Sequence, residues 1–145
     1  FNKLGPEPLD PDFTFDKFVQ VLSKRKGKIK QVLLNQEVLV GIGNIYSDEA
    51  LWRAKIHPFR QVSTLTNSEL KKLYSYILEV LKESIKLGGE SFKDYRDLHG
   101  KKGNFDKLRM VYQRKGQECN YCQNKIERVK MGVRSAHFCP HCQKL

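Results

Sequence analysis

Four cysteines close together at one end of the chain constrain its fold more than any other feature. They form Cys119-X-X-Cys122 and Cys139-X-X-Cys142, with sixteen residues between the pairs, and all lie in the last 27 positions. This spacing suits a zinc site: each pair sits on a tight knuckle, and the residues between them form a hairpin that brings the knuckles together. Four thiolates complete a tetrahedral shell and leave no position open, so one zinc ion is expected in a structural role. Two disulfides would suit a secreted protein, but nothing in the chain points to secretion. A redox Cys-X-X-Cys would need a thioredoxin-like surround, which is missing. A tail this short cannot bury enough core to fold alone, and metal binding supplies the shortfall, on the order of 10 kcal/mol in small fingers. His137 and His141 stand beside ligands and are expected to be surface or supporting residues.

Upstream of the cysteines the pattern is helical. Pro6, Pro8 and Pro11 keep the start extended. A helix is expected from Asp12 or Thr14, with Phe15, Phe18, Val19 and Leu22 at helical spacing and Gly27 at its end. A second short helix is expected over 29–34. Next comes an apolar glycine turn, Leu39-Val40-Gly41-Ile42-Gly43-Asn44-Ile45-Tyr46, from which Ser47, Asp48 and Glu49 lead into a helix that stops before Pro58. Such a turn can hold a phosphate on its backbone N–H groups, or can serve only close packing. Thr66-Asn67-Ser68-Glu69 reads as a capping box. Leu70, Leu73, Tyr74, Ile77, Val80, Leu81 and Ile85 then form one apolar core stripe, and the helix ends at Gly88-Gly89. Residues 89–108 lack periodicity and read as a long functional or mobile loop. A short β-rich tail is expected from Leu108–Tyr112 onward.

Charge points to a polyanionic partner. The chain of 145 residues carries a net +11. From Lys101 onward there are 11 Lys/Arg and 3 Asp/Glu, a net of +8, while residues 1–100 hold 16 and 13, a net of +3. The excess therefore lies at the cysteine end, either as a solvated lysine-rich surface or as a nucleic-acid footprint. Lys125, Arg128, Lys130 and Arg134 fall between the cysteine pairs. There they would meet phosphates, which fix position without carrying sequence information. No stretch approaches the roughly 20 apolar residues of a membrane helix.

Several stretches together resemble one family, the formamidopyrimidine-DNA glycosylases of bacterial base-excision repair, also called MutM. They are Leu4-Gly5-Pro6-Glu7-Pro8-Leu9, Ile29-Lys30, Val40-Gly41-Ile42-Gly43-Asn44-Ile45-Tyr46, Asp48-Glu49-Ala50-Leu51 and Ile56-His57-Pro58. Gly88-Gly89, Asp94-Tyr95, Gly100, Gly103 and Val111-Tyr112 follow, and Arg134-Ser135-Ala136-His137-Phe138-Cys139-Pro140-His141-Cys142-Gln143 closes the series. The match spans the chain. The related endonuclease VIII enzymes share the glycine turn and the finger. Asn35, Ala136 and Asn124 depart from the common pattern, and none of them is a zinc ligand.

The resemblance implies a mainly α fold, a helix–two-turn–helix bundle followed by a small β-hairpin zinc finger. It implies a linker over 1–12, the bundle over 13–108 including a lesion-capping loop over 89–108, and the finger over 109–145. DNA contacts are expected from Lys26, Lys30, Asn44, Tyr46 and Arg134. Asn44 and Arg134 would bind phosphates flanking the lesion, and Lys30 would lie near the damaged nucleotide. Arg134 also takes a part in the later elimination step.

The implied whole protein removes oxidised purines (8-oxoguanine, formamidopyrimidines) and nicks the strand by β,δ-elimination. Its nucleophile is an N-terminal proline amine. Pro6-Glu7 mimics that proline–glutamate pair, but an internal proline nitrogen is an amide with no free lone pair. The chain, which opens on Phe1, is thus expected to be the DNA-gripping portion of a longer enzyme, binding DNA without cutting it. The expected partner is damaged double-stranded DNA, with a monomeric protein in the bacterial cytoplasm and no membrane association. The other readings are an endonuclease VIII-type portion and a non-enzymatic zinc-ribbon module for nucleic acid.

Overall fold

The computed structural model describes residues 3–87 and 109–145. The expected end of the long helix at Gly88-Gly89 and the expected loop over 89–108 lie outside the described residues. The element order is α1 (Phe15–Ser23), α2 (Ile29–Leu34), α3 (Asn44–Ala54), a short 3-10 turn (Val62–Thr64), α4 (Asn67–Lys86), β1 (Glu127–Met131) and β2 (Arg134–Phe138). This is the mainly helical fold with a terminal β-hairpin that the sequence implies. No helix among the described residues is long and apolar enough to cross a membrane.

Helix α1 starts where Thr14 accepts a hydrogen bond from the Lys17 backbone N–H. Phe18 and Leu22, four residues apart, fill its buried face. It ends at Ser23, ahead of the expected stop at Gly27, because the Lys24 N–H folds back onto the Leu22 carbonyl. Gly27 instead makes the turn into α2, and its carbonyl accepts from Val62 N–H.

Helix α4 opens with the complete capping box. Thr66 accepts from Glu69 N–H, and the Glu69 carboxylate accepts from Thr66 N–H. Its buried row is Leu73, Ile77, Val80 and Ser84. The expected stripe continued to Ile85 instead, which is exposed. Four residues beyond Val80 the core face passes to Ser84, whose hydroxyl pairs with Tyr46 Oη at 2.8 Å. Polar chemistry at the last turn thus replaced the apolar residue that periodicity selected.

Arg60 braces the capping box through two hydrogen bonds to the Glu69 carboxylate, at 2.8 and 3.0 Å. The Arg60 contact comes first among the causes that hold Glu69 down at about 2. A carboxyl depressed on folding adds stability above its unfolded pKa and loses it as pH falls towards the folded value. The pair is partly exposed, so solvent screening keeps the effect on the order of 1 kcal/mol. Chemical denaturation of the wild type and of Glu69→Gln, followed by helical signal, should show their stability difference shrinking between about pH 5 and pH 2. A constant difference across that window contradicts the pairing.

Helix α3 is the centre of the molecule. Ile45 through Leu51 and Ala54 are all buried, so the helix has almost no solvent face. It packs on α2, α4 and β2. The main core gathers α1, α2, α3 and α4 around Phe18, Ile29, Leu33, Leu51, Leu73 and their neighbours. Two small clusters serve the finger. Val111, Cys119, Ile126 and Cys139 pack with Trp52 of α3, while Met131, Ala136 and Phe138 pack with Phe59.

The tail starts differently from the expectation. Residues 110–117 form turns, and the first strand begins only at Glu127. The N–H groups of Met110, Val111 and Tyr112 are taken by the Glu49 carboxylate, so they cannot join a ladder. Arg114 then holds the turn by donating to the carbonyls of Met110 and Glu118. The hairpin pairs Glu127 with Phe138 through Met131 with Arg134, which leaves Gly132 and Val133 as its two-residue tip.

Candidate nucleic-acid interface

The finger is built on its cysteines. All four Sγ atoms lie within 4.8 Å of one another. A tetrahedral zinc with Zn–S bonds near 2.3 Å requires Sγ–Sγ separations of about 3.8 Å. The cross-pair distances are 3.9 Å for Cys119–Cys142 and 3.4 Å for Cys122–Cys139, so the cage fits the ion. Backbone N–H groups of Tyr121 and Cys142 donate to Cys119 and Cys139 Sγ, as thiolate ligands require. Asn124, one of the residues that depart from the common pattern, donates its side-chain amide to Cys122 Sγ at 3.3 Å. That bond heads the causes drawing the Cys122 thiol down to about 6. His141 is exposed and His137 is buried, and neither belongs to the four-sulfur cluster.

A cleft of about 610 Å³ opens where the start of α3 meets the hairpin. Asn44, Tyr112, Lys115, Arg128 and Arg134 are among its walls. Gly41, at φ +90°, allows the sharp turn that delivers Gly43 as the N-cap of α3. Asn44 therefore occupies the first helical position, beside N–H groups at the positive end of the helix dipole. Its side-chain Oδ1 is buried without a hydrogen-bond partner. Arg134 is exposed at the start of β2. A helix N-terminus with Arg and Lys side chains on the same cleft offers a receptor for an anion.

The structure thus brings Asn44 and Arg134 together in one cleft. It leaves Lys26 exposed on the turn between α1 and α2, away from the cleft walls. Tyr46 is buried, with its hydroxyl on Ser84 against α4. Lys30 is fully buried, and its Nζ donates to Asp48 Oδ1 and to the Ser135 carbonyl. Burial lowers the Lys30 pKa against the pull of Asp48.

Sequence reasoning missed the residues that hold the cleft together. Asp48 reaches Lys30 on one side. On the other its Oδ2 accepts from the backbone N–H and ring Nδ1 of His137, at 3.2 and 2.9 Å. One carboxylate therefore joins α2, α3 and β2. Glu49, its neighbour, accepts three N–H groups from the start of the finger at 2.8–3.0 Å. Burial raises the Glu49 pKa, and those three donors oppose the shift. Gln143, also fully buried, accepts from Cys139 N–H and donates to the Ile56 carbonyl. These three side chains lock the finger against the bundle. The available signal was a pair of acids inside a segment with no polar periodicity of its own.

Residues 4–96 match the family model "Formamidopyrimidine-DNA glycosylase H2TH domain", and residues 116–145 match "Zinc finger found in FPG and IleRS". A helical DNA-glycosylase module carrying a four-cysteine zinc finger is the class these features define. Among curated proteins, the formamidopyrimidine-DNA glycosylase of Prochlorococcus marinus (strain MIT 9301) is 50% identical over 143 residues, covering 99% of this chain and 49% of the relative. The Heliobacterium modesticaldum enzyme is also 50% identical, over 99% of this chain and 52% of its own length. Among solved structures, the MutM (Fpg) protein of Thermus thermophilus superposes with a TM-score of 0.87 at 40% identity, over 97% of this chain and 54% of that one. Lactococcus lactis Fpg in complex with an abasic-site DNA gives 0.87 at 41%, over 99% and 52%. The chain belongs to the formamidopyrimidine-DNA glycosylase family and spans about half the length of the curated relatives it matches.

Proposed function

We propose that this chain is the DNA-gripping part of a base-excision glycosylase and AP lyase acting on oxidised purines. The observation that carries the reading is the cleft at the meeting of α3 and the hairpin, with both Asn44 and Arg134 among its walls. The exposed Lys26 adds a backbone contact from the α1–α2 turn. Arg134 clamps a phosphate flanking the lesion and stands by for the elimination step. Lys30 and Tyr46, whose polar ends are bonded within the protein, support the grip from behind. The likeness to a Lactococcus lactis Fpg crystallised with abasic-site DNA supports duplex DNA as the ligand.

Base removal needs an activated nucleophile, and the four-sulfur shell leaves the zinc no open position for one. We therefore assign the chemistry to the part of the relatives that this chain does not span. Incubated with an oxidised-guanine duplex, the pure chain should bind without nicking the strand. Nicking would place a nucleophile among these 145 residues and overturn that assignment.

Arg134→Ala provides the test of the cleft. Removing one phosphate contact should weaken duplex binding about equally across sequences and flatten the log–log salt slope by about one unit. Because Arg134 is exposed, its thermal stability should match the wild type. An unchanged slope takes Arg134 out of the phosphate clamp.

A further inference from the structure

The tip of the hairpin carries a side chain that the phosphate clamp does not use. Val133 is 99% exposed. Other large apolar side chains among the exposed residues have a local setting: Leu145 ends the chain, Tyr121 lies under the Lys55 ammonium, Val129 is only partly exposed within β1 opposite Ala136, and Leu4 and Ile85 lie near the limits of the described residues. Val133 has no such setting. With Gly132 at φ +63° and Val133 outside the positive-φ residues, the tip is a type II′ turn. The second turn position readily takes a polar residue, yet here it holds a branched hydrocarbon next to Arg134.

Its position is equally telling. Val133 and Arg134 both line the cleft of about 610 Å³ on one side of the tip and a second recess of about 270 Å³ on the other. The second recess is walled by Gln31, Leu34, Asn35 and Met131. The tip is therefore a ridge between two grooves. Behind it the hairpin is held firmly. Ala136 and Phe138 are buried against Phe59, and the Ser135 carbonyl accepts from the buried Lys30. A rigid ridge loses little freedom on binding, so its contact area converts to affinity.

We propose that Val133 is an apolar contact to DNA, packing against deoxyribose edges in the minor groove while the two strands run through the recesses on either side. This rests on the DNA-gripping reading above. Proteins commonly place apolar side chains in the minor groove beside arginine. The valine side chain is too short to prise a base step apart. Its role is to position the ridge, which sets where Arg134 meets the backbone.

The test is the affinity of zinc-loaded Val133→Ala, Val133→Ile and Arg134→Ala for an abasic-site duplex across a salt series. Val133→Ala should bind about 3–10-fold more weakly, as expected for losing buried hydrocarbon. Its salt slope should equal the wild type, because no phosphate contact is lost. Val133→Ile should retain affinity. Melting temperature and zinc content should stay unchanged in both valine variants, since the side chain is almost fully exposed. If Arg134→Ala shifts the slope while Val133→Ala binds like the wild type, the apolar contact is overturned and the DNA-gripping reading stands. If the wild type shows no salt-dependent duplex binding, both fall.

Discussion

Stripping the metal from the four-cysteine cage should unfold residues 109–145 and abolish tight DNA binding. Apart from the polar braces at Asp48, Glu49 and Gln143, the finger has little core of its own. Its two apolar clusters contain Val111, Ile126, Met131, Ala136 and Phe138 besides the cysteines. So few buried side chains cannot offset the backbone entropy lost on ordering the segment. Zinc binding supplies the missing free energy, so folding of the finger is tied to the ion. Amide exchange followed before chelation, after chelation and after zinc is restored checks this. Protection across Glu127–Phe138 should vanish and return with the ion, and the Cys139→Ser variant should resemble the chelated state. A hairpin that keeps its protection without metal contradicts the account. Chelation should also lower the melting temperature of the helical part, because Glu49 loses its three N–H donors and Asp48 loses His137.

The second large effect is expected at Asp48. Asp48→Ala leaves the Lys30 ammonium buried without a counter-charge and removes the acceptor of His137 N–H. Breaking one side of a buried ion pair costs about 3–5 kcal/mol. That is a large share of the roughly 5–15 kcal/mol that holds a domain together. Replacing both charges, as Lys30→Met with Asp48→Leu, should recover part of the loss, because no lone charge stays in the core. His137 N–H remains unsatisfied in the double variant, which limits the recovery. Denaturant midpoints of the three zinc-loaded proteins measure this. A single variant as stable as the wild type, or a double variant no more stable than Asp48→Ala, contradicts the strut.

The sequence made some layers of this molecule readable and hid others, for physical reasons. The cysteine cage was legible because tetrahedral coordination dictates ligand spacing. The capping box at Thr66–Glu69 and the α4 stripe were legible because both follow helical geometry. The hairpin between the knuckles followed from the cage, although its first strand starts later than expected because Glu49 occupies the N–H groups upstream. The residues that seat the finger on the bundle left little trace. Asp48 and Glu49 lie on a helix buried on nearly every side, so no amphipathic pattern frames them. Their partners stand about 60 to 90 residues further along the chain. Long-range polar pairing of this kind has no local period to read. The same gap explains Lys30. The resemblance puts it near the DNA, and only the fold reveals the carboxylate it also serves.

The proposed grip rests on one phosphate-binding cleft shared by α3 and the hairpin. The most direct measurement is the affinity of the zinc-loaded chain for an abasic-site duplex across a salt series, with single-stranded RNA of equal length alongside. Each phosphate neutralised on duplex DNA contributes about −0.9 to the slope of log affinity against log salt. With Lys26, Lys115, Arg128 and Arg134 available, the account predicts duplex binding with a slope of about −2 or steeper, and weaker binding to the RNA. A slope near zero, or tighter binding to the RNA, would contradict it.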